Sequence, residues 1–427
     1  MNKIRMTCVA AGVATSFSAF AAATVDNVTM AQAADTHEVT VTYTLTEPAI
    51  VTFAVETNEL AQGAGAWIRL SGDCTTHVRG DVNRIVADAT GTKTIVWLPH
   101  KSWPGHYVDE GRVRAVVTAY ALDNPPDYFV MDLGNGSDVS FYADKESIPD
   151  GVTNRKYKTE YLVMRKIPAA NIHWRMGSPT TESGRNKNFE VPHTITLTSD
   201  FYLGVYEVTQ YQWWRVMGTN PSTFTGADYP DWQIMPVETI DPNRIGVTGD
   251  AIALPSYRFP SNADLSKTTF PGQLSASCPY TDNFRIPTEA QWEFACRAGT
   301  GSAYNYGGDA TGDELKAVAC FATNHTQAVG LLKPNAWGLY DMHGNVGEWI
   351  ADYWRDNTTD TEHLEDPTGP ESMTSSMRAF RGGSFSSSAA DVRSAAYGSQ
   401  KWWSSPYLST LGFRVSCPAA FILPNAN

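Results

Sequence analysis

The sequence lacks the features that mark several common classes of protein. It has only six cysteines in 427 residues and no Cys-x-x-Cys pair, which excludes a dense disulfide framework and a zinc site built on paired cysteines. Lys and Arg number 32 against 45 acidic residues, and no basic stripe for nucleic acid occurs. With 42% hydrophobic and 18% charged residues, the chain predicts an acidic, globular protein of two or three domains.

The first 23 residues predict a signal peptide. Lys3 and Arg5 precede an apolar stretch, which ends in small residues that suit cleavage. A membrane anchor is the alternative, but the stretch is rich in Ala and Ser and only marginally long enough to span a bilayer. We therefore expect an exported protein, periplasmic or extracellular, with no membrane span once the leader is removed. Cleavage would leave five cysteines whose pairing the sequence leaves open: Cys74, Cys278, Cys296, Cys320 and Cys417.

Residues 36–143 show the period-two alternation of β-strands. In the first run, apolar residues alternate with polar ones at Val39, Val41, Tyr43 and Leu45. Similar runs recur between turn residues, which predicts a small Ig-like β-sandwich that acts as a spacer or an adhesive module. The polar residues 144–157 predict a linker.

From residue 158 onward the chain is rich in glycine and aromatic residues and has few helical patterns. Thr288 to Arg297 predicts a helix, because Thr288 and Gln291 have the spacing of a capping box. Thr209 to Met217 predicts a second helix that stops at Gly218. The region is therefore expected to mix short helices with irregular segments.

Five motifs occur in order in this region: Phe201–Thr209, Arg285–Arg297, Pro334–Trp349, Arg381–Phe385 and Leu411–Arg414. Together they resemble the formylglycine-generating enzyme family, also called sulfatase-modifying factors, over residues 158–418. The resemblance implies an α+β fold of the irregular C-type-lectin-like kind. The small all-β sandwich would precede this domain, and residues 419–427 would form a tail.

The resemblance also bears on catalysis. Active members of the family hold a cysteine pair after the Gly-Gly-Ser-aromatic motif, and those thiolates bind copper. In ungapped register the two positions fall on Ser387 and Val392, neither of which supplies a soft sulfur ligand. Related iron enzymes take histidines from a separate helical domain, which residues 36–157 do not resemble. The sequence therefore argues against both copper and iron.

A calcium site is implied by the resemblance in the loop from Asp341 to Glu348. Asp341 and Glu348 would supply side-chain oxygens, and Gly344 and Val346 would supply main-chain carbonyls, which are ligands that suit Ca²⁺. The alternative is that the two carboxylates only form hydrogen bonds within the loop.

Residues 385–411, here named the closing segment, predict a recognition surface. Serine, tyrosine and tryptophan with little charge are typical of adaptable binding loops, and the segment resembles the variable part of lectin-fold proteins that carry GGS and GFR motifs. The expected ligand contacts are Ser387, Asp391, Tyr397, Trp402, Trp403 and Tyr407. Packing of the tryptophans on the core is the alternative.

Two functions remain open from the sequence. The first is a non-catalytic protein that recognises a protein or glycan ligand through the closing segment. The second is a family enzyme, either a formylglycine-generating oxidase or a non-haem iron enzyme, that acts through a site the sequence does not reveal.

Overall fold

The computed structural model describes residues 4–6, 8–12, 23–58, 65–106, 111–134, 138–246, 267–309, 312–354, 363–370, 377–401 and 408–423. The chain divides into two compact units. The first comprises residues 1–130, 139–154 and 420–427, and the second comprises residues 131–138 and 155–419.

Two sheets and one short helix build most of the first unit. Its elements are β1 (Ile4–Met6), β2 (Cys8–Gly12), β3 (Val25–Gln32), β4 (Val39–Leu45), β5 (Ala49–Thr57), β6 (Ile68–Arg69), β7 (Val78–Gly80), β8 (Arg84–Val86), β9 (Lys93–Trp97), α1 (Pro99–Ser102) and β10 (Val113–Tyr120). One sheet has the order β1-β3-β4-β9-β7, and the other has the order β2-β10-β5-β6, with β8 also paired to β5. Strands β11 (Tyr128–Asp132) and β12 (Val139–Tyr142) follow.

The core of this unit forms as the alternation predicts. On β4 the four apolar residues are buried, and the threonines between them are only half-buried. Trp97 is buried with Phe53, at 6.4 Å between ring centroids. Its indole N–H donates to the carbonyl of Cys74 at 2.9 Å, so the polar atom of this large side chain has a partner.

The boundaries of the first unit differ from the sequence-based ones. Strand β3 begins before residue 36. Strands β1 and β2, which lie within the predicted leader, pair with β3 and β10 respectively. Residues 145–147 of the predicted linker form a 3₁₀ turn that Asp144 caps. In the predicted tail, Phe421 packs edge-on against Phe141 at 5.0 Å. Cleavage of the leader stays a prediction.

In the residues that the structure describes, the second unit combines short strands with four α-helices. Its elements are β13 (Tyr161–Ile167), β14 (Ile172–Met176), β15 (His193–Leu197), β16 (Phe201–Gly204), α2 (Gln210–Met217), α3 (Phe270–Ser277), α4 (Glu289–Arg297), α5 (Asp313–Lys316), β17 (Ala319–Cys320), β18 (His343–Gly344), β19 (Gly347–Tyr353), β20 (Leu364–Glu365), β21 (Met377–Arg381), β22 (Tyr397–Lys401), β23 (Leu411–Gly412) and β24 (Ser416–Pro418).

Three small sheets and one strand pair organise this unit. The strand orders are β13-β16-β24, β14-β15-β20 and β22-β21-β19-β23, and β17 pairs with β18. In the part of the chain that the structure describes, no helix is both long and apolar enough to cross a membrane.

Both predicted helices are confirmed, with the expected caps. Thr209 and Gln212 form a capping box at α2, which ends at Gly218 with φ 72°. Thr288 and Gln291 do the same at α4. Every residue of α4 is buried, whereas the sequence pattern predicts only one apolar face. Its two glutamates tolerate burial because arginines pair with them: Arg381 pairs with Glu289 and Glu293, and Arg297 of the same helix pairs with Glu293.

Candidate functional site

Two of the five motifs supply a group of buried carboxylates, formed by Glu207, Asp341 and Glu348. Glu207 follows β16, while the other two lie on either side of β18. Each of the three residues is at most 4% exposed. Glu207 accepts hydrogen bonds from the side-chain amide of Asn345 at 2.6 Å and from the N–H of Val346 at 3.0 Å. The Phe201–Thr209 motif, through Glu207, thereby fixes the loop that the resemblance assigns to calcium.

The buried carboxylates shift one another's ionisation. Burial raises the pKa of Glu207 well above its ordinary value, and the charges of Asp341 and Glu348 raise it further. Burial likewise raises the pKa of Asp341 to about 6, with a smaller contribution of the same sign from Glu348. Arg414 and Lys158 oppose the shift at Asp341 without cancelling it. Burial therefore disfavours the ionised forms of Glu207 and Asp341, and neighbouring negative charge adds to the effect.

Glu348, the predicted ligand at the end of this loop, already has strong partners. The Arg414 guanidinium donates to its Oε1 from Nη2 at 2.8 Å and to both of its oxygens from Nε at 3.0 Å. The indole N–H of Trp292 donates to Oε2 at 2.7 Å. Glu348 thus joins the Arg285–Arg297 motif to the Leu411–Arg414 motif, and this structural role needs no metal.

Asp341 is better suited to a hard cation. Its Oδ2 accepts from the N–H of Gly330 at 2.7 Å, while its buried Oδ1 has no hydrogen-bond partner among the described residues. Gly344 and Val346, the predicted carbonyl ligands, are buried in the same loop. No group of three or more His, Cys, Asp or Glu side chains in the described ranges could hold a metal. Calcium at this loop stays a prediction, and of its two predicted side-chain ligands Asp341 fits the ion better than Glu348 does.

The closing segment is anchored at both ends by buried arginines. Before it, Arg381 pairs with Glu289, and its Nη2 lies 3.0 Å from Glu293 Oε2. After it, Arg414 pairs with Glu348. The side chains of all five residues are at most 3% exposed. The two ends of the segment are therefore fixed to α4 and β19.

A third arginine anchors the segment in its middle. Arg393 Nη1 donates to Glu182 and to Glu190 Oε2, the latter at 2.8 Å, and Nη2 donates to Glu190 Oε1 at 2.8 Å. Nη2 also donates to the Gly184 carbonyl at 2.7 Å, and Nε donates to the Ala390 carbonyl at 2.8 Å. These five hydrogen bonds match the five N–H donors of a guanidinium. Burial alone would lower the pKa of Arg393, but the two glutamates outweigh burial and raise it.

Of the six predicted ligand contacts, the structure describes Ser387, Asp391 and Tyr397. Ser387 is half-buried, and its hydroxyl oxygen accepts from the Ser384 N–H at 2.9 Å. Asp391 is exposed and caps a turn by accepting from the Ser388 hydroxyl at 2.7 Å. Tyr397 stacks on Trp354 at 4.7 Å, so its ring takes part in packing. The three other predicted contacts lie outside the described residues: Trp402, Trp403 and Tyr407.

An aromatic cluster at the start of the closing segment escaped the sequence analysis. Phe385 meets Phe224 edge-on at 5.4 Å, and Phe224 meets Tyr229 at 5.3 Å. Trp232 packs against the same buried group. Tyr229 and Trp232 lie far from Phe385 in sequence and belong to none of the five motifs. Only the mixture of Asp, Tyr and Trp in residues 228–232 could have drawn attention to them.

Glu207 and Arg393 were also missed as functional residues. Glu207 lies in the Phe201–Thr209 motif, but no basic residue close to it in the sequence indicates that its carboxylate is buried. The carboxylates that hold Arg393, Glu182 and Glu190, precede it by 211 and 203 residues. No local pattern predicts a contact over such a separation.

Comparison with known families decides the assignment of this domain. Residues 167–417, more than half of the chain, match the family described as the sulfatase-modifying factor enzyme 1-like domain. The chain belongs to this family. The resemblance inferred from the five motifs is confirmed, as is the mixed α and β fold that it implies.

This sulfatase-modifying-factor domain is similar in sequence to proteins that carry different functional names. The chain is 32% identical over 186 residues to the chaperone protein LppX of Paenibacillus barcinonensis, a match that covers 37% of this chain and 64% of that protein. It is 36% identical over 117 residues to the formylglycine-generating enzyme of Thermomonospora curvata, with 24% and 38% covered. The matches thus span less than two thirds of either relative.

Among solved structures, Treponema denticola variable protein 1 is similar to the chain at 29% identity, with 60% of this chain and 95% of that chain covered and a TM-score of 0.47.

Burial disfavours ionisation of the thiols in this sulfatase-modifying-factor domain. Burial raises the pKa of Cys296 and of Cys320 to about 12. It also raises the pKa of Cys278, and it raises that of Cys417 well above the ordinary value. At the positions of the family's cysteine pair, Val392 is fully buried in an apolar cluster with Tyr304 and other residues. None of these four thiols has the environment of a reactive thiolate.

Proposed function

We propose that this protein is a non-catalytic recognition protein, which binds a protein or glycan ligand through the closing segment. One observation carries the proposal. At the two positions where active family members hold thiolates, Ser387 forms hydrogen bonds with its own turn and Val392 fills an apolar cluster. A hydroxyl is a poor ligand for Cu(I), and valine has no donor atom, so the oxidase chemistry has no metal ligands at these positions.

The anchoring of the closing segment supports a role in recognition. Arg381, Arg393 and Arg414 fix its two ends and its middle through buried ion pairs. A loop held in this way can differ in sequence between anchors without loss of the domain fold. Trp402, Trp403 and Tyr407, the three aromatic residues predicted to contact ligand, lie in sequence between the anchors at Arg393 and Arg414.

Export and calcium belong to the same proposal. The leader predicts that the protein acts in the periplasm or outside the cell, where ligands on surfaces are accessible. A calcium ion beside Asp341 and Glu207 would balance the buried negative charge next to the GFR motif and stiffen the base of the closing segment.

The catalytic half of the proposal is tested with a sulfatase-motif peptide. The purified protein is incubated with the peptide, oxygen and Cu(I), and the aldehyde product is sought by mass spectrometry. We expect no product above a heat-inactivated control. Product formation would restore the alternative function, a family enzyme that acts through a site other than Ser387 and Val392.

The recognition half is tested by panning. A phage-displayed library of random peptides and an array of glycans are probed with the full chain, and the selected ligand is titrated against Trp402→Ala and Trp403→Ala. Truncation of a side chain that anchors the ligand should cost about 2 kcal/mol or more of binding energy and leave the melting temperature unchanged. A large fall in melting temperature for both variants would instead mean that these tryptophans belong to the core.

A further inference from the structure

A second surface adjoins the start of the closing segment. Phe385, the first residue of the segment, is buried with Phe224, Met235 and Cys320. Around this buried group lie side chains that are only partly covered, namely Tyr229, Trp232 and Leu332, and the exposed His325. The rings of Tyr229 and His325 meet edge-on at 5.6 Å. Aromatic edges and faces are therefore open to solvent beside the closing segment.

Main-chain hydrogen bonds make this surface continuous with the exposed serines of the segment. The N–H of Thr323 donates to the Phe385 carbonyl at 2.7 Å, and the N–H of Ala322 donates to the Ser387 carbonyl at 3.0 Å. Ser386 and Ser388 are exposed on either side of Ser387. The hydroxyls of the closing segment and the aromatic rings thus belong to one region of the second unit.

Acidic residues alternate with the aromatic ones on this surface. Asp228 precedes Tyr229, and Asp231 precedes Trp232, and both aspartates are exposed. Asp231 Oδ1 already accepts from the Arg155 guanidinium at 3.1 Å. The structure gives Asp228 no ion pair within the described residues. An exposed carboxylate attracts a cation by charge, and a partly exposed aromatic side chain on the same short segment can add attraction through its ring quadrupole.

We infer that Asp228, Tyr229, Trp232 and the adjoining Ser386–Ser388 bind a protein segment that presents lysine or arginine side chains. The net charge of −13 favours the approach of a basic partner. Leu331, which is 62% exposed next to Leu332, offers an apolar contact for the same segment. A neutral glycan would gain little from the carboxylates. The inference rests on the proposed function, because the surface includes the beginning of the closing segment.

The test uses short fluorescein-labelled peptides of alternating Arg and Leu, with a Glu and Leu peptide for comparison, in anisotropy titrations of the full chain at physiological ionic strength. We expect binding of the Arg peptide only. Trp232→Ala should weaken that binding by about threefold to thirtyfold, the range of a cation–π contact. Trp214→Ala, which removes a 45% exposed tryptophan from α2, should leave it unchanged.

Asp228→Asn and Asp313→Asn form a matched pair, since each removes one charge from an exposed aspartate of the second unit. Only Asp228→Asn should weaken binding of the Arg peptide. Equal losses for the two variants would mean a general effect of charge and would overturn the inference, as would failure of the Arg peptide to bind. Because Asp228 is exposed, its variant decides the question even if Trp232→Ala unfolds.

The outcomes separate this inference from the proposed function. If Trp402→Ala or Trp403→Ala removes binding of a panned ligand, the closing segment recognises that ligand and the proposed function stands. If the Asp228 and Trp232 variants nevertheless bind the Arg peptide as the wild type does, the basic-partner surface is refuted. If Trp232→Ala removes binding of a neutral glycan and the Arg peptide does not bind, the surface recognises sugar and the inference fails.

Discussion

Replacement of Arg393 by methionine should destabilise the second unit more than any surface change. The substitution keeps most of the apolar stem but leaves Glu182 and Glu190 buried without their counter-charge, both at 2% side-chain exposure. Loss of one partner from a buried ion pair costs about 3–5 kcal/mol. Arg393→Lys should also be destabilising, because an ammonium has three donors and cannot reproduce five hydrogen bonds in a planar fork.

Urea denaturation followed by circular dichroism measures this cost. Arg175→Met is the matched control, since Arg175 is exposed on β14 and such surface changes stay within about 0.5 kcal/mol. Glu190→Gln in the Arg393→Met background should recover part of the loss by removing an unpaired charge. If Arg393→Met unfolds within about 1 kcal/mol of the wild type, the guanidinium does not anchor the closing segment and this reasoning is wrong.

Three further predictions concern the same unit. With a calcium chelator at neutral pH, Asp341→Asn should raise the free energy of unfolding by up to about 3 kcal/mol, because the carboxylate's raised pKa, about 6, penalises its ionised form. This penalty is absent below about pH 4, grows as the pH rises from 4 to 6 and is fully present above pH 6. Calcium should raise the melting temperature of the wild type more than that of the variant, and equal effects would exclude Asp341 as a ligand. Cys296 and Cys320, with pKa values of about 12, should resist iodoacetamide in the folded protein at pH 8 to 9 and react once urea unfolds it, whereas rapid alkylation of the native state would contradict their burial. Gly383→Ala should lower the melting temperature, since Gly383 has φ +65° and an added Cβ would lie 2.6 Å from a backbone carbonyl, whereas Gly301→Ala meets nothing within 4 Å and should be tolerated.

Features that depend on residues close together in the chain were predictable from the sequence alone. Alternation of apolar residues predicted β4, and capping boxes at Thr209 and Thr288 predicted the start of α2 and α4. Such signals are local, because a strand face or a helix cap involves residues two to four positions apart. The five motifs also identified the family, because they occur along this chain in the same order as in the family.

Only the tertiary structure decided which charged residues are buried and what they pair with. The sequence, through the family resemblance, predicted Glu348 as a calcium ligand, and only the fold shows that its carboxylate accepts hydrogen bonds from Arg414, which lies 66 residues further on. It gave no sign that Arg393 reaches back to Glu182 and Glu190, or that Tyr229 and Trp232 border Phe385. Ion pairs and surface clusters of this kind join distant segments, and their cost or benefit depends on burial, which no local pattern encodes.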